Sequence, residues 1–228
     1  MNTDKLVIDT EFLVIDFETI TPKGRSPEPI ELGMLRIVEN KIDLKAGIDF
    51  LIKLPQGLCL TYFDTKQTGI KECDLIGKPL AMEVIKKLDT ECQKKDYVFI
   101  AQNAKYEANI LSHYIQECPA ITKTPIIDTI MLAKYVLPGL FNYKLDTLAH
   151  ELKIPIPKDR HRALPDCVLT AKVFLRLLEI ENKRGKIKKI DELLKIAEIQ
   201  TSYNRPKQLT FLTFKCDLGK NVARGDNL

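Results

Sequence analysis

The 228-residue sequence predicts an α/β fold: a mixed β-sheet flanked by helices, followed by a short C-terminal extension. Two observations carry that expectation. Strand-like segments crowd the first quarter of the chain, and strands then alternate with helical patterns. The length suits a single core with a modest appendage.

Leu13-Val14-Ile15 is a β-branched-rich apolar run, the pattern of a buried strand. Residues 30–39 and 47–54 have strand-like apolar content, and turn-forming residues near 22–29 and 40–47 would join the three into a meander. Leu80, Val84, Ile85 and Leu88 recur at helical spacing and predict a helix over 80–94. Tyr97-Val98-Phe99-Ile100-Ala101 reads as a buried strand, with a helix from about 104 to 116 after it. Ile126-Ile127-Asp128 reads as a short strand feeding a helix through Tyr135. Further helices are expected near 144–152, 166–182 and 190–199.

The main domain is placed at 1–182, with 183–228 as a basic linker and C-terminal extension. That extension is too short to form a robust domain by itself and is expected to dock on the main domain, to contact substrate or partner, or to remain partly mobile. The last residues, 224–228, are expected to fray.

Hydrophobic content of 45% and charged content of 29% are ordinary for a globular protein. No apolar run approaches the roughly 20 residues that span a bilayer, and the N-terminus lacks the pattern of a signal peptide. Residence in the cytoplasm, with no membrane partner, is the expectation. Cysteines 59, 73, 92, 118, 167 and 216 are widely spaced with no Cys-x2-Cys pair, which argues for reduced structural thiols rather than zinc ligation or a disulfide scaffold. The net charge of +4 is unevenly spread: residues 1–150 hold 18 Lys/Arg against 21 Asp/Glu, and 151–228 hold 17 against 10. A basic segment near a catalytic site would attract phosphate; Lys183, Arg184, Lys186, Lys188 and Lys189 equally suit a solvated linker.

The chemistry lies in four acids and a histidine. Asp16 and Glu18 stand in Val14-Ile15-Asp16-Phe17-Glu18-Thr19, Glu107 in Asn103-Ala104-Lys105-Tyr106-Glu107, and His161 and Asp166 in His161-Arg162-Ala163-Leu164-Pro165-Asp166. Gathering carboxylates costs free energy, because like charges repel and each raises its neighbours' pKa. A site that does so suits divalent cations, and hard oxygen ligands suit magnesium or manganese. Two such ions about 3.5–4 Å apart can clamp both oxygens of a phosphodiester displacement. A histidine titrating near neutral pH can serve as general base for the attacking water.

On a strand, Asp16 and Glu18 share a face. Asn103 and Glu107 share one if a helix begins at 103. Pro165 fits a helix start with Asp166 in its first turn, leaving His161 on the preceding loop. Val7-Ile8-Asp9-Thr10-Glu11 is a competing apolar-Asp-x-Glu run; Asp16 and Glu18 are preferred because Leu13-Val14-Ile15 leads into them. Asp128 is expected to cap a helix rather than bind metal, and His113 and His150, on predicted helices outside the motifs, to be surface or structural residues.

At these motifs the chain resembles the DEDDh 3′–5′ exonucleases of the ribonuclease-H-like fold, exodeoxyribonuclease X among them. The Asp-x-Glu-Thr strand, the Asn-Ala-x-Tyr segment and the His-x4-Asp run occur in family order from residue 12 to about 178. Residues 205–220 resemble the C-terminal segment of exodeoxyribonuclease X. The resemblance implies that Asp16, Glu18, Glu107 and Asp166 bind two Mg2+ or Mn2+ ions and that His161 is the base. It also implies that Phe17, Thr19, Ile70, Asn103 and Tyr106 hold the substrate, Ile70 as an apolar wedge between terminal bases. The implied partner is nucleic acid, above all single-stranded DNA 3′ ends; no polymerase-binding peptide is identifiable. The departure is Glu107, where the family has Asp. An RNA substrate, or a binding or polymerase-associated module with weakened chemistry, are the alternatives.

Overall fold

A computed structural model describes residues 3–201. The expectations for residues 205–220, 224–228 and Cys216 lie outside the described residues.

The sheet has five strands, β1 (Phe12–Ile20), β2 (Glu28–Val38), β3 (Lys41–Leu51), β4 (Val98–Ala101) and β5 (Ile126–Asp128), in the order β3-β2-β1-β4-β5. β1, β2 and β3 form an antiparallel meander, and β4 and β5 extend it in parallel from the other side of β1. The sheet is therefore mixed, as the sequence predicts.

Helices α1 (Tyr62–Thr68), α2 (Glu72–Leu75), α3 (Ala81–Lys94), α4 (Lys105–Leu111), α5 (Thr129–Val136), α6 (Leu145–Glu151), α7 (Ala163–Arg184) and α8 (Ile190–Ala197) follow in chain order. Period-2 alternation along β1 sorts its side chains into two layers. Phe12 and Val14 pack with residues of α5, α6, α7 and α8, while Leu13, Ile15 and Phe17 pack with α3 and α4. Phe12 meets Phe174 of α7 edge to face, with ring centroids 5.1 Å apart. A third, smaller cluster joins Ile20, Ile30, Leu54, Ile70 and Leu75 beside the far end of β1.

Two boundaries differ from expectation. The turn between β2 and β3 is only Glu39-Asn40, both with positive φ (50° and 56°), so β3 begins at Lys41 and not at 47. Positive φ at both central residues suits a two-residue hairpin turn, and Asn tolerates it. β3 is largely half-exposed or exposed, so it lacks the continuous apolar run that marks a buried strand. Helix α7 begins at Ala163, three residues before the predicted start, with Pro165 in the first turn where no N–H is needed.

Helix α7 continues to Arg184, and Gly185 ends it with a left-handed φ of 70°. Beyond it, Ile187, Ile190, Leu193, Leu194 and Ala197 join the same core as α7. The Ile199 N–H donates to the Ile126 carbonyl, so this stretch also covers part of the β5 edge. The basic cluster is engaged within the fold. Lys183 pairs with Glu179, Arg184 with buried Glu181, Lys189 with Asp4, and Lys186 lies over the Tyr135 ring. Helical rise puts Arg184 roughly 27 Å along α7 from Asp166. No helix among the described residues is long and apolar enough to cross a membrane.

Candidate active site

β1 carries Asp16 and Glu18 toward the layer that holds α7, and the first turn of α7 brings Asp166 to them. One carboxylate oxygen from each of Asp16, Glu18 and Asp166 lies within 4.8 Å of the others. Such proximity is costly in a partly buried site. Burial, then the charges of Glu18 and Asp166, hold the Asp16 carboxyl well above its ordinary range. Burial and the Asp166 and Glu31 charges push Glu18 up to about 7. Asp166 is raised by burial and held back by the Arg160 guanidinium.

The fourth acid enters from the opposite layer. Glu107 on α4 is 3% exposed, and its Oε2 has no hydrogen-bond partner. Burial raises its carboxyl well above the ordinary range, and the Asp16 charge adds to that. Glu107 thus lies close enough to feel Asp16 but outside the three-carboxylate group. Buried polar atoms are rarely left unpaired, and an oxygen left so beside three more carboxylates suits a cation ligand. All the donors are hard oxygens, so the set fits a divalent ion such as magnesium or manganese.

The start of α7 is fixed to β2 by two contacts that the sequence analysis did not identify. Gly33 stands opposite Asp16 in the strand register, and a Cβ there would come within 2.5 Å of the Ala163 carbonyl carbon. Only glycine lets the helix approach so closely. Glu31, opposite Glu18 and fully buried, accepts from Arg162 Nε at 3.0 Å, from Arg162 Nη2, and from the Ala163 N–H at 2.9 Å. An acid at a helix start satisfies an orphan donor and favours the dipole. The signal was present: a lone Glu between Ile30 and Leu32 in an apolar strand needs a buried partner.

Arg160 was also missed. It donates from Nε to Asp146 of α6 at 2.8 Å and pairs through Nη1 with Asp166. His161, between Arg160 and Arg162, is exposed on the loop and held at φ 67°.

The exonuclease family model named RNase_T matches residues 13–174. The chain belongs to this exonuclease family. It is 30% identical over 187 residues to a PolC-type DNA polymerase III of Caldanaerobacter subterraneus, covering 82% of this chain and 13% of that protein. The chain thus spans about an eighth of that relative's length. Exonuclease X in complex with 5′ overhanging duplex DNA superposes with a TM-score of 0.60 at 22% identity, over 81% of this chain and 98% of the other. The nuclease domain of 3′hExo, a DEDDh family member bound to rAMP, gives a TM-score of 0.65 at 15% identity, over 84% and 96%. These superpositions establish the ribonuclease-H-like fold for this exonuclease domain.

The residues expected to hold substrate fall in different places. Thr19 and Tyr106 share a short hydrogen bond between their hydroxyls, which ties β1 to α4. The Phe17 ring is buried in the core, so the side chain faces away from Asp16 and Glu18. Ile70 is 2% exposed, packed with Ile20, Ile30, Leu54 and Leu75, and so is not a protruding wedge. It lies behind a cavity of about 470 Å³ that Ile76, Lys78 and Arg162 also line. There Ile76 is the exposed apolar side chain, at 76%.

Asn103 precedes α4 with φ 61°, so it does not share a helical face with Glu107. Its N–H donates to Asp128 Oδ1, which also accepts from the Ile130 N–H and caps α5. Asp128 is thus the cap that the sequence predicts. Asp9 lies in a 3-10 turn outside the sheet, and Glu11 pairs with Lys95. His113 and His150 are exposed.

Proposed function

We propose that this chain is a divalent-metal-dependent 3′–5′ exonuclease that acts on DNA, at single-stranded or frayed 3′ ends, and releases 5′-mononucleotides. The observation that supports this most is the group formed by Asp16, Glu18 and Asp166, with buried Glu107 beside it and an oxygen of Glu107 unpaired. In this reading Asp16, Glu18, Glu107 and Asp166 hold two Mg2+ or Mn2+ ions. When bound, the ions neutralise the carboxylates and polarise the scissile phosphodiester.

His161 takes the proton from the attacking water. Its loop position and exposure suit a base that engages once substrate is bound. Thr19 and Tyr106, joined by their hydroxyls, form a wall at the end of β1 where the terminal nucleotide would rest. The Phe17 backbone would flank it, and Asn103 sits at the start of α4. Ile76, rather than Ile70, is the apolar group placed to meet a base near Arg162.

The similarity to a PolC-type DNA polymerase supports DNA as substrate. The rAMP bound to the nuclease domain of 3′hExo favours RNA as the rival. Purified protein with 5′-labelled single-stranded DNA and matched RNA, in Mg2+, Mn2+ or EDTA, separates them. Laddering from the 3′ end that EDTA stops is the expected result, with DNA degraded faster. Binding without cleavage of either strand would sink the reading and favour a weakened module.

A further inference from the structure

We propose that Arg160 is a built-in counter-ion of the carboxylate group, which a divalent cation must displace from Asp166 in order to bind. The inference rests on the metal-site reading above and concerns how that site is held when no ion is present. Three carboxylates this close need positive charge, and the Arg160 guanidinium is in contact with one of them. Its Nη1 pairs with Asp166, and its charge lowers the pKa of Asp16 and Glu18 as well as that of Asp166. Arg162 is spoken for by Glu31, which it meets with two nitrogens. Arg160 is 16% exposed in its side chain, so water screens the pair only in part.

The second partner gives Arg160 somewhere to go. Asp146 lies on α6, outside the three-carboxylate group, with its side chain 57% exposed. An arginine held by Asp146 through Nε can release Asp166 without losing every carboxylate. The guanidinium therefore spans two states with a shared anchor. Metal binding breaks the Asp166 contact and keeps the Asp146 contact. Arg160 would then weaken metal binding while stabilising the metal-free fold.

The test is titration of EDTA-stripped full-length protein with Mn2+, read by calorimetry and by the paramagnetic signal of free Mn2+, without substrate. Arg160→Gln should bind Mn2+ about five- to tenfold more tightly than wild type, the order expected for one charge-assisted contact no longer displaced. Arg160→Met, which keeps much of the apolar stem, should do the same and stands in if the Gln variant folds poorly. Arg160→Lys keeps the charge and should stay near wild type.

The metal-free Gln variant should melt lower than wild type, yet gain more on adding Mn2+. Unchanged or weaker Mn2+ binding by both neutral variants overturns the inference while leaving the metal site in place. No Mn2+ binding by wild type overturns the metal-site reading and this inference with it.

Discussion

The two helices that deliver acids to the site are anchored by opposite means. α7 is clamped to β2 by the ion pair of buried Glu31 with half-buried Arg162 and by the close approach at Gly33, and its Asp166 has an arginine partner. α4 is placed by the Asn103 turn and the Thr19–Tyr106 contact, and it carries Glu107 with an unpaired buried oxygen. One arm is preorganised by its own charges. The other holds its charge in a buried place without a partner, a cost that only a cation or a proton can relieve. The site is therefore rigid where the helix start must be registered and electrostatically incomplete where metal is expected.

The largest expected effect comes from the residue that both arms share. Asp16→Asn should lower kcat by on the order of a thousandfold or more, because it removes a carboxylate central to the cluster. Metal-free protein should at the same time melt higher, since a repelling charge is gone. Asp9→Asn is the matching control and should leave kcat unchanged; a loss there would move the site to the upstream run. Gly33→Ala tests the α7 arm alone. Its Cβ meets backbone that has little room to move, so about 2 kcal/mol of stability should be lost. A shift of Asp166 by about 1 Å would also cost on the order of a hundredfold in kcat. Normal activity in a stable Gly33→Ala protein would show that α7 is not registered through this contact.

The α4 arm should respond more mildly. Glu107→Asp withdraws the carboxylate by one methylene, and kcat should fall roughly tenfold, a partial version of the same misplacement. A rate gain would show instead that Glu is a poor fit and that the site is built for Asp.

The comparison also explains what the sequence could and could not reveal. Val14-Ile15-Asp16-Phe17-Glu18 is legible because a strand alternates its side chains, so Asp16 and Glu18 must share one face while Ile15 and Phe17 share the other. The Tyr97–Ala101 run was legible for its continuous apolar character. The turn after β2 was legible but not its shortness, because a two-residue Glu39-Asn40 hairpin turn without glycine carries little signal of its length. The pairs Glu31–Arg162 and Arg160–Asp146 join residues 131 and 14 positions apart, and only the fold brings them together. Charge complementarity over such distances leaves no periodic pattern. Ile70 illustrates the reverse: its place in the sequence suggests a wedge, but the packing around it buries the side chain.

The smallest effect, and the one that reads the electrostatic cost most directly, is the pH dependence of metal-free stability. Glu18 is raised from an unfolded value of 4.5 to about 7, so the folded state holds its proton more tightly than the unfolded state does. Folding then costs nothing extra below about pH 4.5, and the cost grows as pH rises toward 7, where unfolding releases a proton. Asp16, Asp166 and Glu107 are shifted the same way and add to it. Exposed acids with lowered values, such as Asp43 and Glu179, act in the opposite sense but only at more acid pH. In EDTA the protein should therefore lose on the order of 2 kcal/mol between pH 5 and pH 8. Mg2+ added at pH 8 should restore the melting temperature, and it should do less at pH 5, where a proton already occupies Glu18. A metal-free melting temperature that rises across this range would mean that the carboxylates are ionised at little cost. The unpaired oxygen of Glu107 would then need another explanation.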